Sequence, residues 1–431
     1  MKRILLATMP VGGGHTALRD SLRTALASLD PESRDYELLG FDSQDTRVSG
    51  FYDFCIHRAP WLQALLFSLG HARGALTPTV LLNPQLEAEA RQTLEQHRPD
   101  LVISTHFLQS AMFVRARRQL GLDVPIVSAI PDYGEPTEIF APSQEAYRLD
   151  ALIVMVPQVR ERLRVRGHYP LSRVHLSGFI PKAPFLEMGR EMGTRGRLSE
   201  TRRRALLETL RAEHPQLQGV DPSRPTLLFL GGSAWTSKTM PVLERLLRTP
   251  ALMERLNVVV VCGRNERFHD ALKARVQDQP RVALFGFVNA SLMARLMALA
   301  DLPVLGSLAP ASMHELMETR CGPFMLFHII PGSEDAHPAY IQEQEIGVYE
   351  PDPDAMLNLL AQATGITPAG PAMARLLRVC PERMRTLRTT HMERASQLGT
   401  FLERLTGREP RTSLMLEPAR ARRRAQADSA S

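Results

Sequence analysis

Apolar runs of strand length alternate with segments of helical periodicity from one end of the chain to the other, and that alternation limits the available folds more than any single motif does. The runs are RILLATM (3–9), YELLGFD (36–42), LVISTH (101–106), PIVSAI (125–130), ALIVMV (151–156) and VHLSGF (174–179). They resume with TLLFLGG (226–232), NVVVVCG (257–263), VALFGF (282–287), LPVLGS (302–307) and FMLFHI (324–329), and a last strand signal falls near 348. Between them, stretches such as ASLMARLMALAD (290–301) and SKTMPVLERLLRT (237–249) place their apolar residues at helical spacing. A strand that is apolar at nearly every position leaves no face for water, so it belongs in a parallel sheet covered by helices on both sides. The sequence therefore predicts α/β architecture with doubly wound parallel sheets. At 431 residues the chain is too long for one core, and two such domains are expected.

The alternation breaks between 182 and 222, where a charged, then turn-rich segment reads as a connection carrying one basic helix. The expected organisation is an N-terminal α/β domain over 1–181, a charged linker over 182–222 and a C-terminal α/β domain over 223–384. A helix over 385–406 is expected to return toward the N-terminal domain, followed by a basic disordered tail over 407–431.

Net charge is +6 and arginine carries most of it, which suits an anionic partner such as a nucleotide-linked substrate or an acidic bilayer, and equally suits plain solubility. No basic stretch is interleaved with aromatics and no recognition module is visible, so nucleic acid is not expected as a partner. Cys55, Cys262, Cys321 and Cys380 are far apart and form no CxxC pair, which reads as thiols in a reducing compartment. The opening MKRILLATM imitates a signal peptide, but its apolar run of about eight residues ends in PVGGG and reads better as a first strand. No run approaches the ~18 residues of a spanning helix. The expected location is the cytoplasm or the cytoplasmic face of a membrane.

Ligands of doubly wound sheets sit beyond the carboxyl ends of the strands. Gly12, Gly13 and Gly14 lie at the first strand-to-helix turn, where the absence of side chains lets a ligand approach the backbone. Neither GxGxxG nor a Walker loop is present. His15 follows at the helix start, where the helix N-terminus favours a neutral imidazole able to act as a base; capping the turn is the other reading. Gly231, Gly232 and Ser233 form a second such turn in the other half of the chain. GSLAPASMHEL (306–316) and IIPGSEDAHP (329–338) put Ser312, His314, Glu315, Ser333, Glu334, Asp335 and His337 at strand ends, although capping alone accounts for Ser312 and Asp335. The segment 51–76, with Trp61, Leu62, Leu65, Leu66 and Phe67 among Arg58, His71 and Arg73, reads as an interfacial segment or as a helix buried between domains.

These residues together resemble the family of monogalactosyldiacylglycerol synthases and processive diacylglycerol glucosyltransferases. VGGGHTALRDSL is similar to that family's opening GGGH, and VVVVCGRNERFHDAL to its Cys-Gly-Arg-Asn segment. LVISTHFLQS, PDYGEP, LGGSAW, FGFVNASL and IIPGSEDAHPAYI fall in register with further family segments, over about residues 2–365. The resemblance implies a GT-B fold, two Rossmann-like domains facing a central cleft. It implies inverting transfer of a hexose from a UDP-sugar, bound by the C-terminal domain, to a lipid such as diacylglycerol entering from the N-terminal domain, with no cofactor and no metal. Carried over residue by residue, His15 is the proposed base or acceptor-side residue; Asp132, by its own position at the end of PIVSAIPD, is placed to orient it or serve instead. Gly231, Gly232, Ser233, Arg264, Phe287, Ser312, Glu315, Ser333 and Glu334 bind the donor: the glycine turn and Ser312 the phosphates, Glu315 the ribose, Ser333 and Glu334 the sugar.

The chain departs from the pattern where Leu308-Ala309-Pro310-Ala311-Ser312 replaces the family's Pro-Gly-Gly-Leu-Thr, where Trp235 replaces a loop glycine and where His337 replaces an asparagine. A transferase acting on a polyprenyl-linked glycan precursor, or a degenerate GT-B protein that binds nucleotide or membrane without turnover, are the alternative readings. Asp352-x-Asp354 matches the metal pattern of the other glycosyltransferase fold, but before a helix it is expected to supply an N-cap through Asp354.

Overall fold

The computed structural model describes residues 1–406 apart from 10, 12, 135–137, 167, 194–197, 232–239 and 320–321. The first half folds as β1 (Lys2–Thr8), α1 (Gly14–Leu29), β2 (Tyr36–Asp42), α2 (Thr46–Arg58), α3 (Pro60–Leu69), α4 (Leu76–Leu81), α5 (Pro84–His97), β3 (Leu101–Ser104), α6 (Phe107–Gln119), β4 (Ile126–Ile130), β5 (Ala151–Val154), α7 (Pro157–Arg166) and β6 (Val174–Leu176). The second comprises α8 (Ala183–Glu191), α9 (Glu200–Glu213), β7 (Thr226–Leu230), α10 (Met240–Leu247), α11 (Pro250–Met253), β8 (Asn257–Val261), α12 (Glu266–Val276), β9 (Val282–Phe285), α13 (Ala290–Leu299), β10 (Leu302–Leu305), α14 (Pro310–Glu318), β11 (Phe324–Leu326), α15 (His337–Glu343), β12 (Gly347–Tyr349), α16 (Pro353–Ala363), α17 (Pro371–Ser396) and α18 (Leu398–Leu405).

The strands form two six-stranded parallel sheets, ordered β2-β1-β3-β4-β5-β6 and β12-β11-β10-β7-β8-β9. Every residue of β3, β4, β5, β7, β8 and β10 is buried, as their unbroken apolar sequences require, while the edge strands β2 and β12 are partly open. Two doubly wound domains of GT-B type result. In each, the strand order reverses once, between β1 and β3 and between β7 and β10, and crevices for ligands open at those reversals.

Residues 182–222 do more than connect. The helices α8 and α9 pack on α13, and α8 also packs on α14. Arg203 of α9 donates to Asp301 at 3.1 Å and to the Thr226 hydroxyl at 3.1 Å, clamping the amino ends of β10 and β7. That charge belongs to the second sheet's own hydrogen bonding, which a run of charged residues in the sequence does not distinguish from a solvated face.

The two domains meet closely. The helix α1 packs on α14, α17 and α18. Tyr133, just past β4, shares a 2.6 Å hydrogen bond with His314 Nε2 of α14, and Phe179 stacks on the same imidazole with ring centroids 4.8 Å apart. The final helices cross back to the first domain, where Phe401 of α18 stacks on His175 of β6 at 4.6 Å. Asp352, not Asp354, caps α16 by accepting from the Ala355 N–H at 2.8 Å, and Asp354 pairs with Arg245 at 2.5 Å. The cap falls two residues earlier than expected because Pro353 takes the first helical position. Cys55, Cys262 and Cys380 are buried free thiols; Cys321 and the tail 407–431 lie outside the described residues.

Candidate active site between the two domains

At the first sheet's reversal point, Gly13 takes the N-cap position of α1 with φ −84°, so no left-handed backbone demands glycine there. A Cβ built at Gly13 or Gly14 would meet nothing within 4 Å, and the space before the first turn of α1 stands open. Gly12 lies outside the described residues. His15 is half-buried, and its Nδ1 lies 2.5 Å from the Thr105 carbonyl oxygen just beyond β3. A carbonyl can only accept, so Nδ1 carries the hydrogen and Nε2 keeps its lone pair, with no partner for it among the described residues. Burial pushes the imidazole down to about 4, against the Thr105 bond that pulls the other way. The ring is neutral at pH 7 as expected, but burial rather than the helix N-terminus is the cause.

Thr105 is itself fixed, since its hydroxyl donates to the Thr8 hydroxyl at 2.8 Å. Gln109 Nε2 donates to the Thr8 carbonyl at 3.1 Å, tying α6 to the end of β1. His106 packs edge-on to His15 with centroids 4.8 Å apart, and burial, then the His15 charge, push it well below the ordinary histidine range. His106, within LVISTH, carries no motif that assigns it a role from sequence. Its place directly after a buried strand was the available signal.

Asp132 does not orient His15, because the Thr105 carbonyl occupies Nδ1. It lies half-buried beyond β4 and is raised to about 7 by burial and by the neighbouring Glu334. Glu334, expected to face a sugar, turns inward: it accepts from the Ser307 hydroxyl at 2.6 Å and from the Ile330 N–H at 3.0 Å. Two residues after the turn glycine Gly332, its carboxylate falls within reach of its own loop's donors. Burial raises it to about 7 against those bonds. Asp335 accepts from the Gly332 N–H at 3.0 Å and closes the same turn. Ser333 is half-buried, and its carbonyl lies 3.7 Å from where a Cβ at Gly134 would stand, so the 330–335 loop touches the N-terminal domain.

Across the cleft, α14 begins with Ala309 as N-cap and Pro310 at its first position, with no side-chain cap. Ser312, for which capping was an alternative reading, is not the cap; it sits one turn before Glu315 on the same half-buried face. Burial raises Glu315 to about 7, and the positive charge of Lys182 opposes the shift. Lys182 also lies 3.5 Å from Asp20 of α1, which places it between the two domains. It was read only as the first residue of a linker, because a lone lysine after Gly-Phe-Ile-Pro carries no periodic signal. Gly231 is buried at the end of β7; Gly232, Ser233 and Trp235 lie outside the described residues. At the ends of β8 and β9, the Arg264 guanidinium stands 5.1 Å over the ring of Phe287, which is 65 % exposed. The structure thus brings His15, Asp132, Ser312, Glu315, Ser333 and Lys182 to the facing strand ends of two domains, with the Arg264–Phe287 pair on the second domain's rim.

No family model matches the chain. Among known proteins it is 23 % identical over 273 residues to a processive diacylglycerol beta-glucosyltransferase of Staphylococcus epidermidis, covering 63 % of this chain. That match spans 61 % of the staphylococcal protein. It is also 23 % identical over 390 residues to the chloroplastic monogalactosyldiacylglycerol synthase of Spinacia oleracea, covering 84 % of this chain and 66 % of that one. Among solved structures, S. aureus MnaA with UDP aligns with a TM-score of 0.60 at 11 % identity, over 96 % of this chain and 100 % of that one. A glycosyltransferase from Rickettsia africae aligns at 0.58 and 10 % identity, over 94 % and 98 %. The solved structures share the fold, and the sequence matches agree with one another: the chain is built on the GT-B fold and is similar, at low identity, to diacylglycerol glucosyltransferases and monogalactosyldiacylglycerol synthases.

Proposed function

We propose that the chain is an inverting glycosyltransferase that moves a hexose from a UDP-sugar to a hydroxyl of a membrane lipid, with diacylglycerol the first candidate, at the cytoplasmic face of a bilayer. The observation that carries this is the state of His15: a neutral ring, its Nδ1–H held by Thr105 and its Nε2 lone pair unpartnered among the described residues, beside open space at Gly13 and Gly14. In the reaction, Nε2 takes the proton of the acceptor hydroxyl as that oxygen attacks the anomeric carbon. The bond from that carbon to the phosphate oxygen breaks, and UDP leaves with the electron pair. Backbone N–H groups at the uncapped start of α14 and Lys182 meet the growing charge, in place of a metal. Glu315 holds the ribose hydroxyls, and Arg264 with Phe287 flanks the nucleotide. Support for a diacylglycerol acceptor comes from the sequence relatives, whose names all contain diacylglycerol, as glucosyltransferase acceptor or within the synthase's galactolipid product.

A lipid acceptor needs an apolar approach. Trp61 is 69 % exposed, and Leu65, Leu66 and Leu69 are exposed beside it on α3. No helix among the described residues is long and apolar enough to cross a membrane.

The test is UDP release by purified protein on diacylglycerol vesicles, with UDP-glucose, UDP-galactose and UDP-GlcNAc offered in turn. Lipid-dependent release with one donor is expected, falling on the order of a hundredfold or more in His15→Ala. UDP binding with no release from any donor would overturn the diacylglycerol assignment and favour a polyprenyl-linked acceptor or a protein without turnover.

A further inference from the structure

The helices α2 and α3 have two faces of opposite character. Outward, Phe51, Phe54, Trp61, Leu65, Leu66 and Leu69 are all exposed, and α3 has no fully buried residue. An apolar helix left uncovered marks an interaction surface. Arg58 and Arg73 flank it, neither forms an ion pair among the described residues, and Asp53 is the lone acid between 51 and 82. A surface apolar in the middle and cationic at the rim fits an anionic bilayer.

Inward, α3 rests on the donor-side loop. Gly332 has φ +87°, and a Cβ built there would lie 2.8 Å from Phe67 Cβ and 3.0 Å from its Cγ. No side chain fits between, so Phe67 of α3 bears directly on the loop backbone, next to Ser333 and Glu334. Burial, then the charges of Asp132 and Glu334, push the Tyr52 phenol of α2 up. On its other side Phe67 leads toward the base. Its ring lies 6.4 Å from Phe140, Phe140 lies 5.3 Å from Phe107, and Phe107 stacks on His106 at 4.6 Å. One short helix pair thus touches water outside and both halves of the cleft inside.

We propose that α2–α3 couples docking on an anionic bilayer to binding of the nucleotide donor, with Phe67 on Gly332 as the contact that transmits it. The proposal rests on reading the cleft as a UDP-sugar site and the outer face as a bilayer contact. A bilayer that orders the helix pair holds Phe67 against the 330–335 loop and fixes that loop in the form that binds the donor. Linkage makes the effect reciprocal, so the nucleotide strengthens vesicle binding by the same factor.

UDP affinity is measured by calorimetry with and without vesicles of phosphatidylcholine and phosphatidylglycerol, without diacylglycerol so that nothing turns over. Vesicle affinity is measured with and without UDP. The wild-type chain is expected to bind UDP on the order of tenfold more tightly with vesicles present, and vesicles more tightly by the same factor with UDP. A Leu65→Ser, Leu66→Ser variant should lose vesicle binding and keep its affinity for UDP in solution. Phe67→Ala should bind both, with the factor reduced to about one, and Phe67→Leu, which keeps bulk at the contact, should retain part of it and serves where the alanine variant fails to fold. Wild-type protein that binds UDP and vesicles independently would overturn the proposal and leave the functional reading standing, as would a full factor in Phe67→Ala. Wild-type protein that binds no UDP, or no vesicles, would overturn both.

Discussion

A carboxylate of ordinary acidity would be ionised at any pH near neutrality, but burial lifts Glu315 to about 7, so half of it is protonated there. If its carboxylate accepts the ribose hydroxyls, affinity for UDP-glucose should rise between pH 6 and 8 as the ionised form accumulates. Asp132 and Glu334 titrate in the same range. The isosteric Glu315→Gln separates them: it should bind UDP-glucose roughly 10- to 100-fold more weakly at pH 8 and flatten the profile. An unchanged profile in the variant would remove Glu315 from the donor site. His15 was legible in the sequence because it follows the first strand's glycine turn and opens α1, whereas Glu315, the sixth residue of α14, was assigned its role through the family resemblance. Glu334 was not, since nothing in Pro-Gly-Ser-Glu says whether the carboxylate faces out or back toward Ser307 and Ile330. Burial had to be seen before the neutral state of His15 could be given its right cause.

At the level of elements, the strands expected from apolar runs are all present, and the disagreement is systematic. The runs ending at His106, Val156, Phe179, Gly263, Phe287 and Ser307 overshoot the strands, which stop at Ser104, Val154, Leu176, Val261, Phe285 and Leu305. Most of the extra residues stay buried, Phe287 being the exposed exception, but all leave the ladder to form the turns at the strand ends. A run of apolar and small residues cannot show where hydrogen bonding to the neighbour ends. Gly178, in one of those turns, is where α17 lies against the first domain: a Cβ there would stand 1.5 Å from the His391 carbonyl oxygen. Neither backbone can yield without displacing the helix, so Gly178→Ala should cost roughly 3 kcal/mol and lower the thermal midpoint by about 5–10 °C. A midpoint equal to that of the wild type would show that α17 is not seated there in solution.

Over the whole molecule, burial holds six histidines neutral: His15, His175 and His337 at about 4, His391 at about 3, and His106 and His314 well below the ordinary 6.5 of the unfolded chain. Their contribution to stability is fully present above 6.5 and is lost as pH falls, because the unfolded chain takes up protons that the folded one refuses. Asp132, Glu315 and Glu334 act in the opposite sense, keeping protons up to about 7 that the unfolded chain releases near 4. The histidines outnumber them, so near pH 5 the unfolded chain binds more protons than the folded one and stability falls as pH drops. Urea titrations should therefore show a clearly lower midpoint at pH 5 than at pH 7. Equal midpoints at pH 7 and 5 would contradict this balance. The return of α18 to the first domain bears on how the protein is made. Its Phe401 covers His175, and Gly399 seats on Leu29 of α1, in a domain whose last strand ends at Leu176. A ribosome adds roughly two hundred residues between that strand and that helix, some tens of seconds of synthesis. Through that interval the nascent first domain waits with a bare patch, and the second domain must fold beside an unfinished neighbour.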